Sequence, residues 1–255
     1  MQKFDPFWAN GINRRNALRA MAGFLSGSPV LRSQQDPFRD HSRVAGMNEL
    51  ITAFEPGVKV DNDRVRILTA VDRPHNKGAL HKHDFNRVMI YLTPGDLDVV
   101  YQDGRVDHQH WKINDVAWSP AGGFHTSENV GATDLRIVEI ELKKPGPAAK
   151  VVRDPKLDPL VVDPAHNKLV FENDQVRVFL GTLKAGGQEK WHEHVGAGRA
   201  TVMLTSLDGR VESADGKIAP VHGERGDVLW SDGSVKHRGT NTGSQAVDLV
   251  MVEVK

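Results

Sequence analysis

The chain contains no cysteine. Disulfides, thiolate metal sites and a cysteine nucleophile are excluded, while the redox compartment stays open, because a cysteine-free chain is at home in either environment. No run of about 18 apolar residues occurs, so no segment reads as a membrane-spanning helix. Neither sign of charge is in excess: 33 basic residues face 33 acidic ones, evenly spread. Without a basic stripe or a Lys/Arg cluster, nucleic acid is not an expected partner. Helical periodicity is nearly absent between residues 58 and 143. Turn residues, by contrast, are abundant: 24 glycines and 13 prolines punctuate short apolar runs, as many-stranded β domains require.

The dominant feature is an internal duplication. Residues 58–143 recur as 169–255: Asn62-Asp63 falls on Asn173-Asp174, and His81-Lys-His83 on His192-Glu-His194. Asp103-Gly104 falls on Asp215-Gly216, Asp115 on Asp227, Trp118 on Trp230, His125 on His237 and Asn129 on Asn241. The offset is 111 up to the His-x-His and 112 beyond it, so one inserted residue separates the copies. A repeat of this length is a duplicated small domain, not a solenoid unit. The chain accordingly divides into an N-terminal extension (1–50), a first domain (51–143), a Pro-rich linker (144–166) and a second domain (167–255).

The extension has no counterpart in the repeat. Asn13-Arg14-Arg15 before the weakly apolar Ala20–Leu25 resembles a twin-arginine export signal, but Arg19 interrupts it and no Ala-x-Ala cleavage site follows. The alternative is a surface helix over Arg14–Leu25. Periplasmic and cytoplasmic locations therefore stand level. Within each copy, Val65–Leu68 and Val176–Phe179, Val88–Leu92 and Ala200–Leu204, and the branched runs Leu135–Leu142 and Val247–Val254 read as strands. The two Asp-Gly pairs read as hairpin turns. About ten short strands in roughly 90 residues call for a sandwich or barrel.

Residues i and i+2 share a face on a strand, whereas on a helix they lie about 200° apart. His81 with His83, and His192 with His194, can thus point together into a barrel. His125 follows the tight Pro120-Ala-Gly122-Gly turn that folds it back toward the first pair, and His237 stands at the matching place. Three imidazoles from two strands leave open coordination positions and suit Fe, Cu, Ni or Zn better than Mg or Ca. A polar pocket without metal is the competing reading. His110 and His222 also coincide, and an exposed or interface role is the better expectation for them.

These motifs resemble those of the cupin superfamily, and the duplication resembles a bicupin. Pro120, Gly122, His125 and Asn129 fit the second cupin motif, with Asn114 in place of its opening Gly; the second copy keeps Gly226, His237 and Asn241 but has Asp232 and Ser234 for the Pro and Gly. Gly186-x5-His192-x-His194 fits the first motif, where the first copy has His75 for the Gly. The resemblance implies an all-β fold of two tandem double-stranded β-helix (jelly-roll) barrels, with a partly helical N-terminal extension. It implies further self-association as well, without fixing a number of subunits.

The family's glutamate ligand is missing: Arg87 and Arg199 stand there. Arg87 is an even step past His83; Arg199 is an odd step past His194, and a β-bulge at Gly196–Gly198 would restore its phase. A guanidinium about 5.5 Å from a divalent ion is repelled by roughly 6 kcal/mol at an effective dielectric near 20. Either an anionic substrate sits between them, or each Arg pairs with a carboxylate such as Asp84 or Glu193. Without the glutamate the site resembles the three-histidine dioxygenases, which use ferrous iron, more than manganese oxalate decarboxylases. Iron is thus the leading expectation, then Cu, Ni or Zn, with Mn less favoured. The expected ligands are His81, His83, His125, His192, His194 and His237; Arg87, Arg199, Trp118 and Trp230 are candidate substrate-binding or supporting residues. The expected activity is that of a dioxygenase-like oxidoreductase on a small anionic organic substrate; the alternative is a non-catalytic bicupin that binds a metal or small ligand. A storage-type bicupin is disfavoured, because all six histidines persist.

Overall fold

The computed structural model describes residues 56–147 and 149–255. The paired arginines and the Arg14–Leu25 stretch lie outside the described residues. The first copy forms β1 (Gly57–Asp61), β2 (Val65–Asp72), β3 (His81–His83), β4 (Asn86–Tyr91), β5 (Gly95–Tyr101), β6 (Val106–Trp111), β7 (Val116–Ser119), β8 (Gly122–Asn129) and β9 (Leu135–Leu142). The second copy repeats them as β10 (Asn167–Glu172), β11 (Val176–Leu183), β12 (His192–His194), β13 (Gly198–Met203), β14 (Leu207–Ser213), β15 (Ile218–Gly223), β16 (Val228–Asp232), β17 (Val235–Asn241) and β18 (Val247–Val254). Each set makes a five-stranded sheet, β1-β2-β9-β4-β7 or β10-β11-β18-β13-β16, and a four-stranded sheet, β3-β8-β5-β6 or β12-β17-β14-β15. The all-β, two-barrel architecture expected from the repeat is the one observed.

The branched runs are nearly continuous because the five-stranded sheets are buried on both faces. Along β9, Val138, Ile140 and Leu142 join a core that also contains Val250, Val252 and Val254 of β18. This core lies between the barrels, with Val88, Ile90, Val178, Ala200 and Val202 packed into it. The alternate residues of the same strands face each barrel's own interior: Ile137 of β9 with Met89, Tyr91, Leu97 and Leu135 in the first barrel. Full burial of a Val or Ile is worth about 1.5–3 kcal/mol, so the shared core binds the two barrels far more strongly than the linker can. Arg225 adds a polar tie, its Nη2 donating to the Leu92 carbonyl (2.5 Å) and to Asn114 Oδ1 (2.7 Å) of the other barrel.

Both motif departures keep their backbone conformation. His75 (φ 59°) takes the left-handed region that Gly186 (φ 70°) occupies in the second barrel, and Asn114 (φ 67°) matches Gly226 (φ 94°). Asn and His are among the non-glycine residues that enter this region most readily. Between the copies the extended crossing contains one short helix, α1 (Pro159–Val162). Asp158 caps it by accepting from the Leu160 amide (3.0 Å), with proline at the first turn where no donor is needed. Asp158 also accepts from Arg177 Nη2 (3.0 Å), which fastens the crossing to β11.

Candidate metal centres

Each histidine pair lies on a three-residue strand paired with the strand that bears the third histidine. His81 is opposite His125 across β3–β8, and His192 is opposite His237 across β12–β17. Ring centroids within each trio lie 4.6–5.4 Å apart in the first barrel and 4.6–5.1 Å in the second. Each trio offers one nitrogen per ring, all within 4.8 Å of one another. Five of the six rings are buried, and His81 is half-buried.

In the second barrel the tautomers follow from the partners. His192 Nδ1 lies 2.9 Å from the Lys190 carbonyl, and His194 Nδ1 lies 2.8 Å from Glu253 Oε1. Carbonyl and carboxylate oxygens only accept, so both Nδ1 atoms carry the proton and, in neutral rings, both Nε2 atoms are bare lone pairs. Those lone pairs face each other at 3.0 Å. Two lone pairs at that distance repel unless a cation lies between them, and nitrogens about 2.1 Å from one ion at a right angle would be about 3.0 Å apart. The buried Nδ1 of His237 has no hydrogen-bond partner. Burial drives His237 well below its usual 6.5, assisted by Arg199 and His192, so the ring is in the neutral form that ligation requires. The donor set fits a transition ion.

Glu253 supports this site from behind. It is buried on β18, where Oε2 accepts from Arg153 Nη2 (3.1 Å) and forms a longer ion pair with Arg177 Nη1 at 3.9 Å. Burial raises its carboxyl, and Arg153, Arg177 and Arg199 pull it back. A carboxylate on the far nitrogen of a ligand histidine fixes the ring and raises its basicity. Sequence reasoning missed Glu253. The available signal was a glutamate recurring at Glu141 and Glu253 inside two otherwise apolar strands, where an unpaired carboxylate is costly.

The first barrel differs around His83. His81 Nδ1 donates to the Ala79 carbonyl (2.7 Å), and its Nε2 lies 3.1 Å from His83 Nε2. Arg87 Nη1, however, lies 2.7 Å from His83 Nδ1 and 2.9 Å from its Nε2, and donates to Glu139 Oε2 (3.0 Å), while Nη2 donates to Ser119 Oγ (2.8 Å). Burial lowers His125 to about 4, against the hydrogen bond to the Gly123 carbonyl.

Both arginines are buried, with exposures of 1% at Arg87 and 6% at Arg199. The carboxylates named from the sequence are not their partners: Asp84 pairs with Lys82 (2.8 Å), and Arg87 pairs with Glu139, fifty-two residues away. His and Arg do not share a strand, because the chain crosses from the four-stranded to the five-stranded sheet between them, and no bulge is needed. Gly196 serves close packing instead, since a Cβ there would lie 2.3 Å from the Val254 carbonyl oxygen. Among the described residues Arg199 Nε and Nη1 have no hydrogen-bond partner. Burial lowers this guanidinium to about 10, with Glu253 and Glu189 opposing the shift, and it remains a cation at neutral pH.

Trp118 and Trp230 lie on the opposite face of their sheets from Ser119 and Ser231, in the core between the barrels; Trp118 meets Phe171 of the other barrel edge-on at 6.4 Å. Neither tryptophan lines the cavity of the second barrel described below. Alternation along β7 and β16 puts them in that core, while the neighbouring serines face inward. Asn129 and Asn241 are structural, each tying a turn through three backbone bonds or more rather than approaching the histidines. His110 and His222 are exposed and pair with Asp96 and Asp208 (2.7 Å each). The second barrel also contains a cavity open to solvent, lined by Arg199, His237, Thr201, Leu229, Leu249 and Met251 among others.

No family model matches the chain, and no curated protein matches its sequence. Solved structures do match it. AerE from Microcystis aeruginosa superposes with a TM-score of 0.55 at 14% identity, over 81% of this chain and 98% of that one. Oxalate decarboxylase from Bacillus subtilis gives 0.57 at 12% identity over 85% and 78%. Salicylate 1,2-dioxygenase from Pseudoaminobacter salicylatoxidans gives 0.53 at 12% over 74% and 70%. The fold is therefore that of the cupins, present twice as in a bicupin, with a three-histidine cluster in each barrel. Among the described residues no helix is long and apolar enough to cross a membrane.

Proposed function

We propose that this protein is a metal-dependent bicupin oxidoreductase of the dioxygenase type, acting on a small anionic organic substrate. The observation that carries the reading is the pair of bare Nε2 lone pairs of His192 and His194, held 3.0 Å apart in a buried cluster completed by His237. The three imidazoles would hold a divalent transition ion, iron foremost, with Cu, Ni or Zn as substitutes. Such an ion supplies Lewis acidity toward an anionic oxygen and, if iron, redox chemistry with O₂. The protein's own residues do the rest. Lys190 and Glu253 hold the His192 and His194 rings, and Arg199 presents a buried cation to the substrate's anionic group. Leu229, Leu249 and Met251 exclude water around it. Similarity to salicylate 1,2-dioxygenase and oxalate decarboxylase, whose names both refer to carboxylic acids, supports an anionic substrate.

The test is elemental analysis of protein purified without chelators, followed by oxygen uptake with gentisate, catechols, diketones and 2-oxo acids under ferrous loading. Bound transition metal with uptake on one of these acids is the expected result. Metal without uptake on any of them would make the protein a binding bicupin, and absence of metal would defeat the reading.

A further inference from the structure

We infer that the two barrels are unequal: only the second is a working site, and it takes a small monocarboxylate with an apolar body, the carboxylate on Arg199 and the body in the cavity. This rests on reading the histidine clusters as metal sites. Three differences at matched positions carry it.

The first is a carboxylate present in one barrel and missing in the other. Glu139 on β9 faces Leu68 and Met89 in the strand ladders, and Met251 on β18 faces Phe179 and Thr201 at the equivalent register. In the first barrel Glu139 supplies the anion that Arg87 binds. In the second barrel that place is filled by a thioether, and Arg199 is left with Nε and Nη1 unbonded, although it lines the cavity. The first barrel thus holds a built-in carboxylate hydrogen-bonded to its arginine, whereas Glu189 and Glu253 near Arg199 leave its Nε and Nη1 unbonded among the described residues. A buried guanidinium without its hydrogen bonds is costly, and a bound carboxylate would satisfy it in a bidentate way.

The second difference concerns the imidazole that would bind the ion. Arg87 can only donate. If it donates to His83 Nδ1, then Nε2 of that neutral ring carries the proton and donates to His81 Nε2, 3.1 Å away. If it donates to Nε2, that lone pair is occupied. Either way His83 offers no free Nε2 lone pair to an ion. In the second trio Glu253 takes the place of the arginine at Nδ1, and the His194 lone pair stays available.

The third difference is the shape of the interior. Inside the first barrel Tyr91 stacks on Trp111 (centroids 3.8 Å apart) beside Met89 and Leu97. The matched residues are Met203, Gly223, Thr201 and Gly209. Gly223 makes room for Met203, since a Cβ there would lie 2.2 Å from its sulfur. At these four positions the second barrel has the shorter side chains, while Leu207 and Leu229 exceed the matched Gly95 and Ala117, so the interior is reshaped and the cavity lies among these residues.

The experiment uses the full chain loaded with excess Co(II) and dialysed, with metal counted per chain, and calorimetric titration of the same samples with hexanoate and, as uncharged control, hexanol. One ion per chain is expected, retained in His81→Ala and lost in His192→Ala. Hexanoate should bind at one site at least tenfold more tightly than hexanol. Met251→Glu, which installs the first barrel's carboxylate, should weaken hexanoate at least tenfold, whereas the neutral Met251→Gln should keep most of the binding; thermal melts verify folding, and Arg199→Met repeats the test should Met251→Glu fail to fold. Two ions per chain, or one that survives His192→Ala and is lost in His81→Ala, would overturn the inequality while leaving the metal reading intact. No ion in the wild-type chain would defeat the metal reading, and hexanoate binding would still decide the pocket. Equal binding of hexanoate and hexanol, or hexanoate unaffected by Met251→Glu, would refute the assigned ligand class.

Discussion

Glu253→Gln examines how far the second cluster depends on what stands behind it. The wild-type carboxylate accepts from His194 Nδ1 at 2.8 Å and from Arg153 Nη2 at 3.1 Å, in a place with 1% exposure. The amide keeps the shape but has one acceptor atom and no charge, so it cannot serve both donors as a carboxylate does. Replacing such a supporting carboxylate weakens metal affinity about 10–100-fold, equivalent to about 1.4–2.7 kcal/mol. The fold should lose roughly 3 kcal/mol, the low end for breaking a buried ion pair, because Arg177 retains Asp158 and Arg153 retains Glu172. The assay is competition for Co(II) or Zn(II) against a chelator of known affinity, well below the melting midpoint, beside urea denaturation. Glu141→Gln, the matched change in the first barrel, is the control and should leave the metal constant unchanged. A Glu253→Gln protein that is destabilised as expected yet binds metal within twofold of wild type would refute the supporting role.

Trp230→Ala, in the core between the barrels, should cost about 3–5 kcal/mol in denaturant unfolding and leave the visible spectrum of the Co(II) protein unaltered. Arg225→Ala removes the polar tie to Leu92 and Asn114 and should cost about 1–3 kcal/mol, read in the same way. Burial pushes Glu139 up to about 7 from 4.5, with Arg87 pulling it down. A raised carboxyl favours folding fully below its unfolded value near 4.5 and loses that advantage as pH climbs through about 7. The urea midpoint of the wild type should therefore fall relative to Glu139→Gln between about pH 5 and about pH 7.5; parallel curves would contradict the shift. His110→Ala should alter neither metal content nor stability beyond about 0.5 kcal/mol, given its exposure.

The repeat made the fold legible because its spacing is enforced locally. The Asp-Gly hairpins, the extended His-x-His and the glycine turn before His125 each act over a few residues, and together they place three imidazoles. What stayed hidden depends on sheet pairing. Glu139 reaches Arg87 only because β4 and β9 are neighbours, and nothing in the spacing of 52 residues announces it. For Trp118 and Trp230 alternation leaves core and pocket wall open for a related reason: both faces of their sheets are buried, so it does not say which face looks inward. The positive φ at His75 shows the opposite case, a residue that departs from the motif while the backbone keeps to it.

The apolar layer between the sheets also bears on how the two halves can drift apart. Val138, Ile140 and Leu142 share one core with Val250, Val252 and Val254, and with Val178, Ala200 and Val202. A half expressed alone would leave a wide valine-rich surface facing water, prone to self-association. The first half can therefore lose every chemical duty and still be indispensable, because its outer wall is the other's floor. Mutations are free to accumulate in its interior, whereas those on the shared wall are felt by both halves at once.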